Sequence, residues 1–162
     1  MTKRFARPAL LVLLALVCAG AAPVAAQESP AQWMARIFDP AAFGIAPFPP
    51  AALNRKLSVD LIILERGGTK QIAIYIMPLD QAKPAADHYA KQFGVAPQIM
   101  NPDSPFETYI FDFTTDAKAA PKLAGLRTLI SKSQWVDNKS QIMMEYTPPA
   151  APPAAEPPAP AK

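Results

Sequence analysis

The sequence predicts an α+β fold: an antiparallel sheet of about six strands in ββα-ββ-ββ order, with one main helix packed on a face. A short N-terminal helix and a disordered Pro/Ala-rich C-terminal tail complete it. Three observations predict this. Two alternating runs flank Gly67-Gly68 between Lys56 and Pro78, a helical apolar stripe runs from Ala85 to Phe93 and ends at Gly94, and further alternating runs follow from Val95 to Tyr146.

Residues 1–26 stand apart from the fold. Lys3, Arg4 and Arg7 form a positive n-region, Leu10 to Val17 an apolar h-region, and Val24-Ala25-Ala26 a small-residue cleavage site. This pattern predicts a secretory signal peptide, and hence a periplasmic or extracellular chain starting near Gln27. An uncleaved anchor would need roughly 20 apolar residues. Lipidation at Cys18 is disfavoured by the bulky Val17 before it. Cys18 is the sole cysteine, so the processed chain has no disulfide or thiol chemistry and relies on its core.

The leader also carries the charge imbalance. The whole chain has 16 Lys+Arg and 13 Asp+Glu; without Lys3, Arg4 and Arg7 the balance is 13 against 13. With no clustered positive field, neither nucleic acid nor an anionic membrane is an expected partner.

Residues 27–146 read as a single α+β domain, of which 27–55 are the N-terminal helix and a proline-rich connector. Ser29-Pro30-Ala31-Gln32 is a capping box with proline at the first helical position, followed by Trp33, Met34, Ile37 and Phe38 at helical spacing. The helix is expected to pack on the domain, over the Ile62 and Leu64 side; with only Arg36 as a cation in its body, an interfacial membrane helix is the weaker reading. Pro40, Pro47, Pro49 and Pro50 make an extended connector whose Phe43, Ile45 and Phe48 are expected to be pinned to the domain surface.

Lys56 to Pro78 reads as one long β-hairpin. Leu57, Val59, Leu61 and Ile63 alternate along its first arm and Ile72, Ile74 and Ile76 along its second, while Gly67-Gly68 suits a type I′ turn. That turn would pair Glu65 with Lys70, Ile63 with Ile72, Leu61 with Ile74 and Val59 with Ile76, giving one aliphatic face. The next helix, with Pro84 near its start and Gly94 after its end, presents Ala85, Ala86, Tyr89, Ala90 and Phe93; it is expected on that aliphatic face.

Val95 to Asn101 and Phe106 to Thr114 form a second expected hairpin around Pro102-Asp103-Ser104-Pro105, with Tyr109, Phe111 and Phe113 in an aromatic row. A brief helix is expected over Asp116 to Leu123. Leu126 to Ser133 and Ser140 to Tyr146 supply two more strands, with Ile142, Met144 and Tyr146 inward. The last sixteen residues hold seven prolines and six alanines and bury too little surface to order themselves. As polyproline II they reach roughly 50 Å, as a spacer, a ligand for a proline-binding groove, or a dispensable extension.

Signatures of chemistry are sparse, and no catalytic, cofactor-binding or metal-ligating residues are assigned. His88 is the only histidine, and its neighbour Asp87 points about 100° away on a helix. Zinc needs more ligands than one histidine without cysteine provides. No GxSxG, phosphate loop, dinucleotide fingerprint or EF-hand loop occurs. Asp112 on an inward strand face would have a raised pKa unless a cation reached it.

The chain therefore reads as an exported, non-enzymatic interaction or binding module with an envelope protein as a possible partner, no cofactor, and no transmembrane anchor after cleavage. The candidate partner surface is the half-apolar hairpin face, Ile62, Leu64, Tyr75 and Met77, with the aromatic row Tyr109, Phe111 and Phe113. The alternative is a small-ligand carrier or hydrolase-like enzyme with a pocket between helix and sheet, lined by Tyr75, Tyr89, Phe93 and His88.

Overall fold

The computed structural model describes residues 28–65, 68–115 and 121–149. The expected signal peptide, Gly67 of the expected turn, residues 116–120 of the expected brief helix, and the tail from Ala150 lie outside the described residues. The elements are α1 (Pro30–Ala35), β1 (Ala52–Leu53), α2 (Arg55–Leu64), β2 (Gln71–Pro78), α3 (Ala82–Phe93), β3 (Gln98–Met100), β4 (Thr108–Asp112), β5 (Leu126–Lys132) and β6 (Lys139–Tyr146), with short 3₁₀ turns at Pro40–Phe43, Leu79–Gln81 and Pro121–Leu123.

The six strands form one sheet in the order β1-β2-β6-β5-β4-β3, every neighbouring pair antiparallel. β3 to β6 is a four-strand meander that starts at the far edge and returns to seat β6 against β2. The expected hairpin of β3 and β4 is present, with Ile99 opposite Tyr109, and so are the two strands after it.

The first hairpin is not. Arg55–Leu64 is a helix, and β2 pairs with β6 and β1 instead. Ten residues this rich in Leu, Ile and Val satisfy both periods, so alternation alone could not decide. Two local signals favour the helix. Asn54 caps the helix, its side-chain oxygen accepting from the Leu57 N–H at 3.1 Å, and Lys56 pairs with Asp60 one turn on at 2.6 Å. Ser58 and Ile62, four apart, are its buried residues. Of the register the hairpin implied, only the Glu65–Lys70 proximity survives, as a 3.3 Å ion pair.

Ser58 ties this helix to the sheet. Its hydroxyl donates to the Asn54 carbonyl at 2.8 Å and accepts the Ile74 N–H at 2.9 Å, taking the place of a strand partner just beyond the end of β1. Ser58→Ala leaves that buried N–H unpaired, with an expected loss of about 1–3 kcal/mol. Urea unfolding checks this; a change within about 0.5 kcal/mol, the size of an ordinary surface substitution, would contradict the tether.

The sheet faces are therefore assigned oppositely to the expectation. α2 covers Ile72 and Ile74, with Trp33 from α1 and Ile37 packed against the same cluster. α3 lies on the other face, where Ala85, Ala86, Tyr89 and Phe93 meet Ala73, Tyr75, Met77, Ile130, Ile142 and Met144. The aromatic row points there too: Phe93 makes edge contacts with Phe111 and Phe113 at 5.1 and 5.5 Å between centroids.

The N-terminal segment follows its expected start and then goes deeper. Ser29 and Gln32 form the capping box of α1. Phe38, Ile45 and Phe48 are buried in the main core rather than pinned on the surface, because the connector's backbone finds partners on α3. The Ala46 N–H donates to Gln92 Oε1 at 2.8 Å and the Phe48 N–H to the Tyr89 hydroxyl at 3.1 Å.

Burial of the Tyr89 phenol pushes its pKa up to about 12; the Phe48 N–H opposes the shift and nearby Tyr75 adds to it. An unfolded tyrosine ionises near 10. The stability this neutral phenol contributes is thus whole below about pH 10 and lost as pH rises toward 12. The urea midpoint should fall over that window, and fall less in Tyr89→Phe; equal falls would remove Tyr89 from the account. At pH 8 the same variant should cost about 1–3 kcal/mol for the unpaired Phe48 N–H.

Candidate functional site

The expected partner surface is largely interior. Tyr75, Met77, Tyr109, Phe111 and Phe113 belong to the core beneath α3, and Ile62 is sealed between α2 and the sheet. Only Leu64 is exposed, at 73%. The physical reason is the helical state of residues 55–64: it turns Ile62 onto the sheet and leaves α3 to take the face carrying Tyr75 and Met77.

The open surface lies beside Leu64. α2 shields the half of its face near β2, and over the other half a groove opens on the sheet, where Leu129 and Met143 are partly exposed and Ile110 is 7% exposed. Ile110, Leu129 and Met143 stand opposite one another on β4, β5 and β6 and form the floor of a groove of about 550 Å³. Leu61 and Leu64 of α2 make one wall, Met100 of the edge strand the other, and Trp135 from the β5–β6 turn closes one end. Leu64, Met100 and Trp135 are 73%, 47% and 43% exposed. Large apolar side chains gathered around one concavity are the usual mark of a docking surface.

Charges close the opposite end. Asp112, Arg127, Glu145, Lys70 and Glu65 run across the sheet from β4 to the end of α2, with contacts of 3.5, 3.9, 3.7 and 3.3 Å between successive members. Asp112 is exposed rather than inward. Partial burial raises its pKa, but the Thr114 hydroxyl and N–H and the Arg127 charge outweigh that and hold it below the usual carboxylate range. Gln141, 4% exposed, lines the groove near Trp135, and its Oε1 is buried with no hydrogen-bond partner among the described residues.

A second, polar recess of about 390 Å³ lies among Lys83, Ser104, Glu107, Tyr109 and Lys132. The Tyr109 hydroxyl donates to the Glu107 carboxylate. That bond, with the Asp103 N–H, lowers the Glu107 pKa, while burial and Glu107 itself push Tyr109 up to about 12. Glu107 stays ionised and Tyr109 protonated across the neutral range, a fixed structural pair rather than an acid–base couple.

The residues of the expected helix–sheet pocket are otherwise occupied. Tyr75 and Tyr89 are buried in the core. His88 Nε2 lies 3.1 Å from the Ala46 carbonyl and 2.6 Å from Gln92 Nε2, holding the connector to α3, and Asp87 faces Lys83 at 3.4 Å. Phe93 borders an open groove with Phe43, Ile45 and Leu123.

Among the described residues no cluster of three or more His, Cys, Asp or Glu side chains could hold a metal ion. Nor is any described helix long and apolar enough to cross a membrane.

Met100 and Trp135 were not among the residues singled out from sequence. A methionine near a strand end and a tryptophan in a turn carry no periodic signal. Compared with known proteins, the chain matches no family model, no curated protein and no solved structure at a significant level.

Proposed function

We propose that this chain is an exported binding module that seats an apolar polypeptide segment of an envelope protein in the groove beside α2. The observation that carries the reading is the gathering of Leu64, Met100 and Trp135, all exposed, around an aliphatic floor. The chain buries Ile62, Ile72 and Ile74 beneath α2, and the open groove adjoining them on the same face supports an interface there. Export rests on the leader pattern of residues 1–26.

A photo-crosslinking residue at Leu64 tests this in the envelope. One crosslinked protein species is expected, abolished by Met100→Asp with the fold intact by circular dichroism. The same crosslinker at Lys91, on the exposed side of α3, should give no such species. Capture that is indifferent to Met100→Asp, or equal from Lys91, would sink the reading.

A further inference from the structure

We infer, resting on the groove being the binding site, that it reads the main chain of an extended partner segment lying along the strands. That segment has apolar residues at its centre and a basic residue at the Glu145 end.

The floor is built in three rows across the sheet. Thr108, Ser131 and Gln141 stand opposite one another at the Trp135 end, Ile110, Leu129 and Met143 in the middle, and Asp112, Arg127 and Glu145 at the charged end. Ser131 and Arg127 are four residues apart on β5, about 13 Å at roughly 3.3 Å per residue.

Each outer row holds a buried polar atom with no hydrogen-bond partner among the described residues: Gln141 Oε1, an acceptor, and Arg127 Nε, a donor. Their neighbours do not serve them. The Thr108 and Ser131 hydroxyls donate to the Phe106 and Lys132 carbonyls at 3.0 and 3.1 Å, so neither proton is turned to Gln141. Asp112 Oδ2 lies 3.5 Å from Arg127 Nε, an ion pair too long for a hydrogen bond. Buried groups left unpaired are costly, and an occupant that pairs them gains that cost back.

Such an occupant brings a donor to one end, an acceptor to the other and apolar bulk between. An extended polypeptide offers an N–H and a C=O at every residue, spans 13 Å with about four residues, and sends alternate side chains to the floor. A helix spends those groups internally along its body, and an acyl chain has none. Rotation about the last torsion of Gln141, broad for any glutamine, turns its Oε1 to the occupant. Charge sets the remaining end. Asp112, Glu145 and Glu65 outnumber Arg127 and Lys70 there, so a basic residue complements it and an acidic one is repelled.

The test starts from the Leu64 photo-crosslinker in the full chain. Mass spectrometry identifies the attached segment, and a synthetic peptide of that sequence is the probe, titrated by Trp135 emission in a Trp33→Phe background. The peptide is N-methylated at one residue at a time. At one position methylation should weaken binding about fivefold or more, as expected for one buried hydrogen bond, and should have no effect in Gln141→Met. That variant removes an unpaired acceptor, so its urea midpoint should hold or rise while unmethylated peptide binds at least fivefold more weakly. Replacing the basic residue of the peptide by Glu should weaken binding, and less so at high salt.

Methylation effects equal in the two proteins, or absent at every position, overturn the inference. So does unchanged binding in a folded Gln141→Met, or an acidic residue at the Glu145 end of the bound segment. Should Gln141→Met fail to fold, Gln141→Asn takes its place: its amide stops one methylene short, the same loss is expected, and unchanged binding overturns the inference. If these fail while the Leu64 crosslink still depends on Met100, main-chain reading alone is excluded and the groove stands. A crosslink indifferent to Met100 removes the groove itself.

Discussion

Phe111→Ala should lower the stability of this protein by about 3–5 kcal/mol, the range for deleting a fully buried aromatic ring. Phe111 is 2% exposed, pairs with Thr128 of β5 and makes an edge contact with Phe93 of α3. The truncation removes apolar surface and leaves a cavity at the junction of sheet and helix. Urea unfolding measures the loss, and the slope against denaturant should hold steady if the fold persists. A loss below about 1 kcal/mol would return Phe111 to the surface, where a row of alternating aromatics read alone would put it. Phe106→Ala is the matched control: that ring is exposed and its removal should change stability by less than about 0.5 kcal/mol.

Gly125→Ala should cost about 3 kcal/mol or more. Gly125 has φ of +86°, a region that penalises any side chain by roughly 1–2 kcal/mol. A Cβ there would also fall 2.1 Å from the Thr147 carbonyl oxygen, so the backbone at the end of β6 must shift, which adds roughly 1–3 kcal/mol of overpacking. Gly94→Ala separates the two effects. Gly94 has φ of +71° but nothing within 4 Å of its virtual Cβ, so only the conformational part, about 1–2 kcal/mol, is expected. Equal losses at the two positions would show that Thr147 does not approach Gly125 closely.

Most of the sheet was legible because its signals are local. Strands β3 and β4 are separated by a Pro-Asp-Ser-Pro turn, β5 buries alternate residues and β6 carries the inward Ile142 and Met144, and α3 is marked by an apolar stripe and a C-terminal glycine. Residues 55–64 misled because six of their ten side chains are Leu, Ile or Val and fit either period, and two consecutive glycines supply a turn whether or not a strand precedes them. Asn54 and the Lys56–Asp60 pair were the available counter-signals. They are weak individually, worth about 1 and a few tenths of a kcal/mol, beside the pull of an aliphatic alternation.

The error over one helix propagated to the candidate surface. Once residues 55–64 stand as a helix, the Ile72 and Ile74 face has its cover, α3 moves to the opposite face, and Tyr75, Met77, Tyr109, Phe111 and Phe113 all turn inward. The groove that replaces them draws on α2, three neighbouring strands, the far edge strand and the β5–β6 turn. Leu64 is the one residue common to both assignments.

By itself, the amino-acid sequence determined the class of fold, the meander, the capping of α1, the stop of α3 and the inward placing of Ile142 and Met144 on β6, because each follows from contacts within a dozen residues. Only the tertiary structure decided which face α3 covers, that α2 is a helix shielding half of the other, and that Leu64, Met100 and Trp135 meet. Those outcomes depend on residues far apart in sequence competing for the same sheet surface, and no local period records which of them wins.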